Sequence, residues 1–357
     1  MKKIICFVLL LSLFCAALAG SGESETSDNV SKESSAASEA VSSEAESDGS
    51  SEEPVSMTAN VLTISGPTGM GMAQMMKQDE DGESRVDYTF TVTESPADVM
   101  TAIVSGQTDI AACPINLAAK IWNKTEGGIQ ILAVNTLGVL YVVTNGAEIN
   151  SFADLDGKTV IASGEGASPE YAFKFLCEYF SITVDLQFVD TFATASAMVA
   201  GGEAEIALLA EPSVSSALLK NPDLKVSLDI TEIWSGMKHE DDSPYEDLVQ
   251  GCVIVRKEFA ESHPETVEAF LADYEESVTF ANKTENLDTV ASYIETYGIL
   301  PKAAIAKKAL PKCNIVFLKG NEMKTIVEEN LAVLFHFTPA SVGGKLPEAA
   351  FYYGAEN

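Results

Sequence analysis

The sequence predicts an α/β protein of two similar lobes with a hinge and a ligand cleft between them. Three observations carry that expectation. Segments of strand and helix character alternate from about residue 58 to the end of the chain. One strand–helix–strand pattern occurs twice. In each copy, capping residues and glycines stand where a helix must begin or end.

The repeat is direct. Residues 91–111 read TVTESPADVMTAIVSGQTDIA, and residues 187–207 read QFVDTFATASAMVAGGEAEIA. Aligned without a gap, each gives a short strand, an acid, a Ser or Thr, a helix, a Gly, an acid and then Ile-Ala. Ser95 and Thr191 are N-caps, whose hydroxyls accept from amides in the first turn. Pro96 holds the first helical position, where its missing N–H is no loss. Gly106 matches Gly202, Asp109 matches Glu205 and Ile110 matches Ile206. Upstream, at nearly the same offset, LTISG (62–66) matches VIASG (160–164), each a strand running into a glycine loop and then a helix.

The remaining segments fit that plan. IQILAV (129–134), LYVVT (140–144) and CVIV (252–255) read as strands. The stretch 264–274 places Val267, Phe270, Leu271 and Tyr274 on one helical face. Residues 58–145 plus 251–357 are expected to form lobe I and residues 146–250 lobe II, with crossings at 141–144 and 251–255 as the hinge.

Residues 1–20 have the layout of an export signal: Lys2 and Lys3, an apolar run from Ile4 to about Leu13, then small residues. The run is shorter than the roughly 20 residues a bilayer span requires. The chain is therefore expected outside the cytoplasm, in the periplasm or at the cell surface. Ala17-Leu18-Ala19 fits ordinary signal cleavage; Leu18-Ala19-Gly20-Ser21 has the layout of a lipidation box with Ser where the sulfur should be. Residues 21–57 are rich in Ser, Glu, Ala and Asp and should form a disordered linker.

The net charge of −31 argues against nucleic-acid binding, because no basic stripe is present to neutralise phosphates. Cys6 and Cys15 leave with the signal; Cys113, Cys177, Cys252 and Cys313 are expected as free thiols. His239, His263 and His336 lie near no Cys in sequence, so neither a metal nor a cofactor is expected.

At this point the chain resembles the ABC-transporter solute-binding proteins of the nitrate/sulfonate/taurine type, a group that includes thiamine-pyrimidine-precursor binders. The residues that carry the resemblance are ISGPTG (64–69), VSGQTDIA (104–111), FADLDGKTV (152–160), AEP (210–212) and VRKEF (255–259) with Pro264. It implies a type II periplasmic-binding-protein fold and ligand-induced lobe closure. It also implies a monomer that delivers a small organic molecule to ABC permease subunits in the membrane. The linker is similar to those of surface-tethered members, but Ser21 departs from their lipid-attachment motif.

Ligands of α/β sheets sit beyond the carboxyl ends of the strands. That rule nominates Gly66, Pro67, Thr68, Gly69, Met70 and Asn116 in lobe I. In lobe II it nominates Ser163, Gly164, Gly166, Ala167, Ser168 and Glu211. Glycines admit close backbone approach and helix N-termini favour a negative group. A carboxylate, sulfonate or phosphate oxygen held by Thr68, Ser168 and amides is the natural ligand group. These loops hold no Lys or Arg, however, and Glu165 and Glu211 add negative charge. Glu211 either accepts from an amino-substituted heterocycle or a cation, or faces solvent beside Pro212. Met70, Met72, Met75 and Met76 either line a pocket or belong to the core. Trp234 either stacks on a planar ligand or fills the seam, whereas Trp122 is expected to pack.

No enzymatic activity is expected. The competing class is an exported enzyme on the same two-lobed fold acting on a small metabolite. Against it, the sequence holds no Ser-His-acid set and no nucleophile elbow, and Cys113 has no His to activate it.

Overall fold

The computed structural model describes residues 57–356. The export signal expected over 1–20 and the linker expected over 21–57, Met57 excepted, lie outside the described residues. The strands are β1 (Thr58–Ile64), β2 (Asp87–Thr93), β3 (Ile110–Pro114), β4 (Ile129–Leu137), β5 (Leu140–Thr144) and β6 (Thr159–Ala162). They continue with β7 (Asp185–Phe188), β8 (Ile206–Ala210), β9 (Lys225–Asp229), β10 (Val249–Arg256) and β11 (Ile315–Leu318).

They form two sheets, one ordered β11-β4-β10-β3-β1-β2 and the other β7-β6-β8-β5-β9. The repeat read from the sequence is the reason these orders correspond. β2, β1 and β3 run parallel and meet the antiparallel β10; β7, β6 and β8 run parallel and meet the antiparallel β5. Ser95 Oγ accepts from the Asp98 amide at 3.4 Å, and Thr191 Oγ1 from the Thr194 amide at 3.1 Å. Gly106 and Gly202 end the two helices at φ of 75° and 78°, a region that strains any residue with a side chain.

The central strands of both sheets, β3 and β10 in one and β5 and β8 in the other, are buried on both faces, as strands covered by helices on either side require. In β3, Ile110 and Ala112 face one core with Met70, Met75 and Phe270, while Ala111 and Cys113 face the other with Trp122 and Leu331. In β5, Leu140 and Val142 pack with Phe173 and Trp234, and Tyr141 and Val143 with Ala195 and Val214. The four methionines 70, 72, 75 and 76 are all buried in the first of these cores, the bland half of the sequence expectation. The helix Gly320–Phe337 joins the lobes. Its Leu331 and Leu334 pack in the six-stranded lobe, and its Val333 and Phe337 reach the core of the five-stranded one.

The chain crosses between sheets earlier than the sequence suggests. β5 pairs with β8 and β9, so the outward crossing falls at Gly138–Val139, not after residue 145. Val249 and Gln250 already belong to β10, so the return lies at Leu248. Residues 141–144 and 251–255 are mid-strand and cannot hinge. A strand buried on both faces is apolar throughout, and its pattern carries no mark of which sheet it joins.

Candidate ligand-binding site

The carboxyl ends of β1, β3, β6 and β8 all lead into loops at the seam between the lobes. Contacts across that seam are specific. Tyr141 Oη donates to the Lys312 carbonyl at 3.1 Å, and the Tyr171 ring stacks on Phe337 with centroids 6.0 Å apart. Asn330, anchored in the six-stranded lobe by accepting from the Val249 amide, donates to the Asp247 carbonyl on the other side of the crossing, both at 2.9 Å.

Four polar side chains stand out there, two from each lobe. Thr68, Asn116, Ser163 and Ser168 are 6%, 8%, 4% and 6% exposed. Ser168 Oγ has no hydrogen-bond partner. Among the described residues, no hydrogen bond reaches the side chains of Thr68, Asn116 or Ser163 either. Buried polar atoms in folded proteins are nearly always paired, so Ser168 Oγ, the one of the four that is both fully buried and unpaired, calls for a partner outside the chain. Asn116 is the second residue of the helix Ile115–Lys124, which has no side-chain cap and no acid in its first turn. Ser168 borders a cavity of about 10 Å³ shared with Trp234, Val249 and Asn330, room for about one water.

Residues 83–285 match the family model described as NMT1/THI5 like. The chain belongs to the NMT1/THI5-like family. No curated protein matches it. Among solved structures it is similar to an ABC transporter from Parabacteroides distasonis, with a TM-score of 0.69 and 21% identity over 83% of this chain and 98% of that one. The periplasmic aliphatic sulphonate-binding protein SsuA of Escherichia coli follows at 0.63 and 15%, covering 82% of this chain and 92% of that one. The alkanesulfonate-binding SsuA of Xanthomonas axonopodis pv. citri, bound to MOPS, gives 0.58 and 12%, covering 84% and 98%. These likenesses establish the periplasmic-binding-protein fold.

The other nominated residues of this NMT1/THI5-like chain divide by what surrounds them. Gly66, at φ 95° and ψ −160°, adopts a conformation reserved for glycine, with open space where a Cβ would be. Pro67 starts the short helix that follows it. Gly69 serves packing instead: a Cβ there would lie 2.6 Å from the Ile64 carbonyl and 3.0 Å from Thr63 Oγ1. Met70 is fully buried and offers a ligand no surface. Trp234 is 1% exposed and donates Nε1 to the Glu246 carbonyl at 2.8 Å, so it fills the lobe and does not stack on a ligand. Gly164 and Gly166 turn at φ 86° and 73° to bring half-buried Ala167 and buried Ser168 to the helix Ser168–Tyr179.

Lobe II supplies its own anions to its helix starts. Glu170 accepts from the Gly166 amide at 2.5 Å and pairs with Lys174. Glu211 is 2% exposed, so it does not face solvent; it accepts from Ser215 N at 3.1 Å and Ser215 Oγ at 3.0 Å. A ligand anion is thus left lobe I, where the Ile115–Lys124 helix start holds no acid. No arginine helps: Arg85 pairs with Asp273 and Arg256 with Asp109, both at the far end of the six-stranded sheet.

The sequence reading missed Asn135. Its Nδ2 donates to the Thr68 carbonyl at 2.9 Å and fixes the loop after β1. Gly251 makes room for both, since a Cβ there would lie 2.8 Å from Asn135 Oδ1 and from Thr68 Oγ1. The available signal was the amide that follows the apolar run Ile131–Val134 within β4, since buried amides are placed by their partners.

Burial pushes the Glu211 carboxyl up, against the opposing pull of Ser215, Lys312 and Lys308. With the folded value above the unfolded one, the stability Glu211 contributes is full below the unfolded carboxyl range and is lost as pH rises through the folded value. Glu211→Gln removes that ionisation. It should gain in melting temperature on the parent as pH rises from about 4 to about 8. Parallel melting curves across that range would contradict the assignment.

Proposed function

We propose that this chain is an extracytoplasmic solute-binding protein. It delivers a small organic molecule to the permease subunits of an ABC importer, and the ligand closes the lobes upon itself. The observation that carries the reading is the two buried polar pairs at the strand ends, Thr68 with Asn116 in one lobe and Ser163 with Ser168 in the other, and among them Ser168 Oγ, a buried hydroxyl without a hydrogen-bond partner. A ligand that bonds both pairs has differential affinity for the closed arrangement, which is what drives closure. Two crossings, at Gly138–Val139 and Leu248, supply the hinge. The family and the fold support the same reading, as does the export signal expected over residues 1–20. The chain acts as a monomer, without nucleic acid.

Nothing among the described residues at the seam favours the enzyme reading. Cys113, its one candidate nucleophile, is fully buried. Burial and the neighbouring Cys113 push the Cys252 thiol well up, which leaves Cys252 an inert thiol.

A thermal-shift screen of sulfonates, carboxylates, polyamines, nucleobases and vitamin precursors tests the proposal. A ligand at a hundredfold over its dissociation constant should add about 2.7 kcal/mol. A stabiliser recovered unchanged supports a binding protein, and one that is consumed supports an enzyme. Failure of every class would count against the pocket.

A further inference from the structure

We propose a second small-molecule site beside the hinge, taking an amphipathic monoanion: a carboxylate on a short apolar chain. A cavity of about 530 Å³ lies on the six-stranded lobe, away from the four polar groups of the seam. Its size falls within the roughly 300–1,000 Å³ of ordinary ligand pockets. Leu137, Leu287, Leu310 and Ile315 give it apolar walls. Lys283 stands at its exposed mouth beside Thr284, and among the described residues no carboxylate pairs with that lysine. None of the lining residues is acidic, in a chain of net charge −31. Apolar walls with one free ammonium group at the rim suit a molecule with a hydrocarbon body and one acidic head.

The pocket wall is also part of the hinge. Asn314 lines the cavity, accepts from the Leu137 amide at 3.0 Å and donates Nδ2 to the Gly138 carbonyl at 2.6 Å. Two residues before it, the Lys312 carbonyl takes the Tyr141 hydroxyl from the other lobe. A molecule wedged between Leu310 and Leu137 therefore bears on the segment that holds the crossing and touches lobe II. Occupancy is coupled to lobe closure through that segment. The coupling rests on the closure proposed above; the binding site itself does not.

Octanoate is the probe, titrated by calorimetry into the intact protein. The expected result is saturable binding, weakened about tenfold by Lys283→Glu, which lies on the surface and leaves the fold intact. Octan-1-ol, which has the tail without the charge, should bind about fivefold more weakly than octanoate. Asn116→Asp, a change in the seam, should leave octanoate affinity unaltered. No saturable binding, or binding indifferent to Lys283→Glu, overturns the site. Loss of octanoate binding in Asn116→Asp places the probe in the seam and overturns it as well, while leaving the solute-binding reading standing.

Discussion

The double variant Thr68→Val/Ser168→Ala should lose roughly a hundredfold in affinity for the ligand that the screen identifies, with no loss of stability in its absence. Each hydroxyl makes no hydrogen bond to a described residue, and Ser168 Oγ is a buried orphan. Removing the buried orphan at Ser168 relieves its desolvation, and the Thr68 hydroxyl gives up no hydrogen bond to a described residue, so the free protein should melt at the same temperature or slightly higher. With ligand bound, each substitution leaves a buried ligand group unpaired, at about 1–3 kcal/mol apiece. Thermal melts and calorimetric titration read both halves. A protein that melts lower yet binds as before would show that these hydroxyls serve the fold.

Asp273→Ala should do the reverse, costing about 1–3 kcal/mol of stability while leaving ligand affinity unaltered. Asp273 is 2% exposed and accepts from Arg85 N at 3.0 Å, Arg85 Nη1 at 2.5 Å and Tyr88 Oη at 2.8 Å. Its loss strands the buried Tyr88 phenol beside the start of β2, the sheet end opposite the seam, while half-exposed Arg85 keeps its pair with Glu276. The Tyr88 hydroxyl is itself pushed up, first by burial and then by Asp273, so it cannot ionise to compensate. Urea unfolding monitored by circular dichroism gives the stability change. A change of affinity beyond twofold would tie the far end of the sheet to the site.

These two variants separate what the sequence reveals from what it conceals. Ser95 and Thr191, with Gly106 and Gly202, are legible because capping and left-handed turns demand particular residue types at fixed offsets. The same logic finds Ser163 in the loop after β6, and Thr68 and Ser168 in the first turns of the helices that follow β1 and β6. The allocation of β5 is not legible, because an apolar run buried on both faces fits either sheet. Nor are the roles of Met70 and Trp234, since the same side chain suits a pocket or a core. Glu170 and Glu211 were visible as acids near helix starts. Only their bonds to the Gly166 amide and to Ser215 show that they already occupy the positions an anionic ligand would take. Asn135 is close to Thr68 solely through tertiary pairing, which a linear pattern does not encode.

The central claim is that ligand closes two lobes about Gly138 and Leu248, and small-angle X-ray scattering across a ligand titration tests it most directly. The radius of gyration should fall with added ligand, saturate at one ligand per chain, and stay unchanged in Thr68→Val/Ser168→Ala at the same concentrations. Saturable binding with an unchanged scattering profile would contradict it.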